Sequence, residues 1–549
     1  MKNRKGYVMA GMIFSSAFLL AACGGDGAET SSVATSGGNT AAGNAEVNKE
    51  GFPIVDEPIE MTMIAPGTGM AEWEDMPTLT EYAKKTNINF EYTTPPLSDF
   101  STRFNLTFAS GELPDVIYAP GSDVLTPALE VDYGSQGLLV PLNDLIEEYG
   151  PNISKVLEEK PEIRQSITST DGNIYTLPRI NGGATSTWIR GPVWINGEWM
   201  EALGIEDVPK TTDELYDMLV RFKNEDPNGN GQADEIPLTD VKMDSTRPWL
   251  LSAFGIKEWG IEEHDGEVRY APMTENYRGY LEFMHKLYEE GLLDKEVFSQ
   301  ADEQKKAKGE NDKLGMFPDW FSFFTTGQTE EEAIINPMMG PMTSEYSEEA
   351  IFPMSTGIQR GAFAITKENP NPAAAMRWVD YFYSKEGHDY LNRGPAGYLW
   401  EWVDEEGGER QFREDLEATN REEYRGQITP DYGIVTPVNT DHELDPIGDE
   451  GISDFEIFLQ EESDAKVNKY GEVAYPLVYL TPEEQEVVSG VEVDLQTYVR
   501  NSEAQFITGQ LELNDENWEE YVSTIEKIGV EDYVEVYQSA YDRWLESAE

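Results

Sequence analysis

The sequence predicts an α/β fold in more than one domain-sized unit, and three observations predict it. Patterns of strand and helix period alternate along most of the chain. The 549 residues exceed what one compact core holds. Hydrophobic residues make up 39%, with 27 Tyr, 22 Phe and 12 Trp, so cores of useful size can form. The balance of 104 Asp+Glu against 40 Lys+Arg gives a formal charge of −64. A field of that sign repels nucleic-acid phosphates and anionic membrane faces, which excludes a nucleic-acid binder.

The first elements read in order as a βαβ-like unit. Ile59–Ile64 alternates as a strand and stops at Pro66-Gly67, Met76–Thr86 has helical spacing, and Ile88–Tyr92 returns to strand. A helix over Phe100–Ser110 ends at Gly111, and the apolar run Val116–Tyr118 follows Leu113-Pro114-Asp115. Asp171–Tyr175 reads as a hairpin turn, and the extended stretch Thr187–Ile195 opens a different set of elements. A boundary between lobes is expected near Gly182-Gly183. Thr211 with Glu214 forms a capping box for a helix whose face is Leu215, Met218, Leu219 and Phe222. A second such helix spans Glu275–Glu290, and a strand–helix unit follows at Gly361–Thr366 and Ala373–Ser384. At the C-terminus Thr481-Pro482-Glu483-Glu484 opens a long helix that Gly509 closes, and two more helices follow, around 518–528 and 533–544.

The N-terminus carries an export signal. Lys2, Arg4 and Lys5 precede an apolar stretch, Tyr7–Leu20, and Leu20-Ala21-Ala22-Cys23 stands before Gly24-Gly25. This resembles a bacterial lipobox, in which Cys23 takes the lipid and the chain is cut before it. The alternative is an ordinary signal peptide or a short membrane anchor in which the cysteine is incidental. Cys23 is the only cysteine, so disulfides and Cys-rich metal sites are excluded. From Gly24 to about Glu50 small polar residues dominate, as in a flexible leash.

The most specific local chemistry is Asp226-Pro227-Asn228-Gly229-Asn230-Gly231-Gln232-Ala233-Asp234-Glu235. Side-chain oxygens at positions one, three, five and nine, glycine at six and a backbone carbonyl at seven match the first part of an EF-hand calcium loop. Pro237 stands where an EF-hand has its last glutamate, so the sixth ligand falls to Glu235. The expected calcium set is Asp226, Asn228, Asn230, Gln232 through its carbonyl, Asp234 and Glu235, in a structural role. A metal-free Asn-Gly turn would use the same residues.

Taken together, the lipobox, Leu113–Ile117, Asp226–Glu235, Ala362–Thr366 with Trp378–Ser384, Phe506–Gly509 and Tyr541–Trp544 resemble the family-1 extracellular solute-binding lipoproteins of carbohydrate ABC transporters, of the LipO-like and alginate-oligosaccharide-binding type. The resemblance implies a two-lobed periplasmic-binding-protein-like fold of type II, an interlobe ligand cleft, C-terminal helices, a carbohydrate ligand and a membrane permease as partner. It carries the calcium loop residue by residue onto Asp226–Glu235. The expected division is a signal peptide over 1–22, a linker over 23–50, one lobe from 51–182 with 361–415, and a second from 183–360 with 416–549. A monomer on the outer face of the cell membrane is expected.

Sugar binders place aromatic faces against the apolar side of the ring and planar polar groups against its hydroxyls. The candidates in loop contexts are Trp73, Arg247, Trp249, Trp320, Arg360, Tyr398 and Trp400, with Trp402 beside the last. Each aromatic could equally be a packing residue, and each arginine could serve to neutralise acids. A secreted glycoside hydrolase would need two carboxylates across a cleft, which counting cannot exclude among 104 acids. The four histidines lack ligand spacing, and no Gly-x-Ser-x-Gly elbow or phosphate loop is present, so an enzyme is not expected. A surface receptor that reports its ligand to a signalling partner would keep the same fold.

Overall fold

The computed structural model describes residues 45–416, 418, 421–448 and 453–548, and the described part forms one compact unit. Cys23, the signal segment and most of the expected leash lie outside the described residues. The folded body begins before Gly51. The Ala45 N–H donates to Asn371 Oδ1 at 2.9 Å, Val47 bridges Val55, and Arg377 donates to the carbonyls of Asn48 and Gly51. The apolar Val47 and the shared backbone pairing outweigh the small polar residues around them.

Two sheets organise the chain. Their strands are β1 (Ile59–Ile64), β2 (Ile88–Thr93), β3 (Val116–Tyr118), β4 (Leu177–Ile180), β5 (Val193–Ile195), β6 (Ile236–Leu238), β7 (Leu314–Pro318) and β8 (Ile358–Ile365). The first sheet has the order β2-β1-β3-β8-β4, with β1 parallel to β2 and β3, and β8 antiparallel to β3 and β4. The helix Pro77–Thr86 makes the β1–β2 crossover and stops where Asn87 turns left-handed at φ 61°. Its Leu79 and Tyr82 pack with Met61, Met63, Trp378 and Phe382 in a first core.

The second sheet has the order β5-β7-β6, with β7 central and wholly buried. Helices Thr212–Asn224 and Glu275–Glu289 supply Leu215, Phe222, Tyr280 and Met284 to a second core. The C-terminal helices Pro482–Thr508, Asp515–Ile528 and Val530–Ala548 join it through Val499, Phe506, Tyr521 and Tyr533. Two cores on separate sheets make the fold two-lobed.

Neighbouring crossing segments connect the lobes. The Asn181 N–H donates to Gly357 O and the Ser355 N–H to Thr187 O, each at 2.8 Å. After β8 the chain stays with the first lobe longer than composition suggests. Val438 belongs to the first core, and only at Phe455 and Leu459 does the chain rejoin the second. The division expected after residue 415 therefore falls later. The stretch that follows is held by side-chain bonds such as Arg179–Asp431 rather than by a periodic apolar face.

Two other expectations differ in detail. Asp171 organises a turn by accepting from Ser169 Oγ, the Asn173 N–H and Tyr175 Oη, with no hairpin around it. Most of Thr187–Ile195 is irregular, and strand begins only at Val193.

Candidate functional site

The crossing segment that leaves β4 carries polar groups at its first-lobe end and aromatic ones at its second-lobe end. At the first-lobe end Arg179 donates to Asp431 Oδ1 (2.8 Å), Thr436 Oγ1 (2.6 Å) and Asn181 Oδ1 (3.0 Å). Burial alone would raise the Asp431 carboxyl, but the Arg179 guanidinium and the Thr436 hydroxyl hold it below the ordinary range. The anion is thereby fixed beside the crossing segment.

At the second-lobe end Trp188 is 4% exposed and Trp320 is 49% exposed, and their rings stack at 6.3 Å with an interplanar angle of 19°. Antiparallel pairing of β5 with β7 creates this arrangement, because its register carries on to set residues 191–192 opposite 319–320. The fit requires glycine at 191, where a Cβ would come within 2.5 Å of the Asp319 carbonyl carbon. Asp319 shapes the next turn by accepting from the Trp320 N–H (2.8 Å) and Thr325 Oγ1 (2.7 Å). The exposed Arg190 lies two residues after Trp188, and the half-exposed Phe324 lies in the helical turn Phe323–Thr326 that follows Trp320. A flat indole face with a carboxylate on the adjoining residue can stack on an apolar ring face and bond hydroxyls.

The other expected site residues fall in different surroundings. Trp249 is 0% exposed, packs on Phe352 at 4.7 Å, and donates its indole N–H to Gly191 O at 3.1 Å. It supports the loop from beneath and offers no free face, because Thr246–Leu251 is a short buried helix rather than a loop. Trp73 is buried in the first core against Tyr92 and Tyr118. Trp400 donates to Gly394 O and lies under Arg410, Trp402 meets it edge-on at 4.9 Å, and Tyr398 packs beside them. Trp400 and Tyr398 belong to a small satellite cluster around the hairpin Trp400–Asp404/Glu409–Phe412, on which Trp402 is exposed.

Neither expected arginine faces an open cleft. Arg247 is buried and pairs with Glu503, with Nη2 to Oε1 at 2.7 Å, and Tyr277 Oη donates to the same carboxylate at 2.6 Å. Arg360 donates through both terminal nitrogens to Val478 O at 3.1 Å and lies 4.4 Å over the Tyr479 ring. Both neutralise or fasten the interior. Sequence reasoning missed Trp188 and Arg190, although both stand in the Thr187–Ile195 stretch it had singled out.

The loop Asp226–Glu235 has the turn structure of an ion-binding loop. Asp226 Oδ2 accepts from the Gly231 N–H (3.1 Å), Asn228 Oδ1 from the Asn230 N–H (3.1 Å) and Asn230 Oδ1 from the Gln232 N–H (2.7 Å). Gly231 has φ 73°, which only glycine adopts without strain. Glu235 Oε1 is buried with no partner, an acceptor that a cation would satisfy. Asp234, however, pairs with Lys313 Nζ at 2.8 Å. Among the described residues no three His, Cys, Asp or Glu side chains converge on a metal position. The three carboxylates expected to surround an ion are thus not gathered, because Lys313 supplies the positive charge at one of them. The amide and backbone oxygens of the loop remain compatible with a hard cation.

A two-lobed α/β body with an aromatic and polar site at its crossing strands is the architecture of a binding protein. The chain matches the bacterial extracellular solute-binding protein family over residues 67–389 and belongs to it. It is 30% identical to the fructooligosaccharide ABC transporter substrate-binding protein FusA of Streptococcus pneumoniae serotype 4, over 491 residues covering 85% of this chain and 86% of that one. It is 27% identical to lipoprotein LipO of Bacillus subtilis over 354 residues, 60% of this chain and 64% of LipO. The solved structure of FusA in complex with kestose superimposes with a TM-score of 0.72 at 27% identity, covering 89% of this chain and all of that one. A further FusA structure is described as an EF-hand mutant in complex with fructo-nystose, so that relative carries an EF-hand. Among the described residues no helix is long and apolar enough to cross a membrane.

Proposed function

We propose that this chain is the lipid-anchored, extracellular substrate-binding protein of an ABC transporter, and that it captures a neutral oligosaccharide by closure of its two lobes and delivers it unaltered to a permease. The observation that carries this reading is the Trp188–Trp320 stack, half open to solvent at the end of a crossing segment. FusA, named for fructooligosaccharides, matches over most of the chain and supports that class as the first to test. The charge of −64 makes a polyanionic ligand costly, which favours an uncharged one. Ligand contacts to both lobes stabilise the closed population, and no bond is made or broken. The relatives are substrate-binding proteins, which supports a role without catalysis. Cys23 is the lipid attachment site, a calcium ion on Asp226, Asn228, Asn230, Gln232, Asp234 and Glu235 stabilises the second lobe, and the protein acts as a monomer.

Titration calorimetry of the mature protein with kestose tests the reading. Trp320→Ala is expected to weaken binding about tenfold or more, the loss of roughly 1.4 kcal/mol of stacking. Unchanged affinity, or no binding of kestose by the unaltered chain, would reject it.

A further inference from the structure

The helix Asp454–Glu462 passes without a break into a π-helical turn, Ser463–Asn468. Such turns are rare, and they are frequent at functional sites. Both ends of this one hold the crossing segment. Ser463 Oγ accepts the indole N–H of Trp188 at 3.0 Å, with both residues buried, and Asn468 Oδ1 accepts from Thr187 Oγ1 at 2.8 Å. Thr187 is also the residue whose carbonyl accepts from Ser355 in the neighbouring crossing segment. Trp188 is the underlayer of Trp320. One dipeptide, Thr187-Trp188, therefore joins the π turn, the crossing segments and the exposed aromatic face.

The Ser463 bond is the directional part of that junction. Stacking alone lets one indole slide and rotate over another, whereas an N–H···O bond fixes the ring in its own plane. Trp188 also meets Trp194 edge-on at 6.1 Å, and Trp194 donates its own N–H to Asp319 O, so the fixed ring lies against the loop that carries Trp320.

We propose that Ser463 is a positioning residue for saccharide binding. It orients Trp188, and through it the Trp320 face, relative to the crossing segments, so that a sugar stacked on Trp320 is held in register with them. The proposal rests on the reading of Trp320 as a sugar platform and adds a residue that touches no ligand. A merely structural serine would lower stability alike with or without Trp320.

A double-mutant cycle separates the two, with kestose as the probe, calorimetry for affinity and thermal unfolding for stability. Ser463→Ala is expected to weaken binding three- to tenfold, Ser463→Thr to restore it, and Ser463→Ala in the Trp320→Ala background to cost nothing further. Trp188→Phe, which removes the donor instead of the acceptor, covers the case in which Ser463→Ala does not fold. It should weaken binding to the same degree and make Ser463→Ala silent. A Ser463→Ala loss of equal size in the Trp320→Ala background refutes the positioning role while leaving the platform intact. Unchanged affinity in Ser463→Ala and Trp188→Phe refutes it as well. If Trp320→Ala itself changes nothing, the platform reading fails, and the positioning role fails with it.

Discussion

Replacing Glu130 by glutamine should remove a specific part of the protein's pH dependence. Glu130 lies on the helix Pro127–Ser135 of the first lobe and is 1% exposed. Its Oε2 accepts from Tyr479 Oη at 2.7 Å and Thr176 Oγ1 at 3.0 Å, and its Oε1 is buried without a partner. Burial pushes the carboxyl up to about 7, against the opposing pull of the Tyr479 hydroxyl and the Arg360 charge. A carboxyl raised in the folded state binds its proton more tightly there than in the unfolded chain. Its contribution is therefore full at acid pH and is lost as pH rises through the folded value. Between pH 5 and pH 8 that loss amounts to about 2 kcal/mol, from roughly 1.4 kcal/mol per pH unit over the interval in which only the folded state is protonated. Urea unfolding at the two pH values measures it. The glutamine variant should fall by about 2 kcal/mol less than the unaltered protein over that interval, although its amide leaves a donor without a partner and lowers stability at both pH values. The residual slope belongs to other groups, such as Asp380, which burial raises to about 6. An identical pH slope in the two proteins would refute the reasoning. Tyr479 belongs to the segment that enters the C-terminal helices, so the same bond fastens the second lobe's last elements to the first.

Three further outcomes are expected. Arg247→Ala leaves Glu503 as an uncompensated buried charge and should cost about 3–5 kcal/mol in urea unfolding; a loss below about 1 kcal/mol would show that the pair is dispensable. Chelator should lower the melting temperature of the mature protein and have no effect on Asp226→Ala, whereas equal melting curves with and without chelator would leave the loop as a plain turn held by Lys313 and its own backbone. Cys23→Ser should shift the protein from the membrane fraction to the medium, and retention in the membrane would point to the uncleaved apolar segment as the anchor.

The sequence made the fold legible wherever one side of an element faces a core. β1 shows its alternation, the helix after Thr211 has its N-cap and apolar stripe, and the helix after Thr481 has its capping box, so their starts were readable to a residue. The helices Pro127–Ser135, Asn143–Tyr149, Pro151–Glu159 and Pro161–Ile167 were missed because each is under three turns long and lies in a proline-punctuated stretch. The site was legible only in part, for a related reason. Trp320 follows a buried strand and remains open, as its loop context suggested, but the same context around Trp249 is a buried helical turn that begins with Thr246. Local pattern identifies an aromatic residue; which of its faces is covered depends on partners distant in sequence, such as Phe352 for Trp249 and Trp188 for Trp320.

The arginines show why scarcity misleads as a guide to ligand contact in so acidic a chain. With 104 acids against 40 bases, solvent and its counterions can screen the exposed carboxylates, but a carboxylate removed from water must be met by a group of the protein itself. The few cations are therefore drawn to where an anion is buried: Arg247 to Glu503, Arg179 to Asp431, Arg269 to Glu262 and Lys308 to Asp294. An arginine available to a ligand is one that no buried acid claims, a condition that Arg247 fails; the exposed Arg190 too has its charge acting on a largely desolvated carboxyl, that of Glu258.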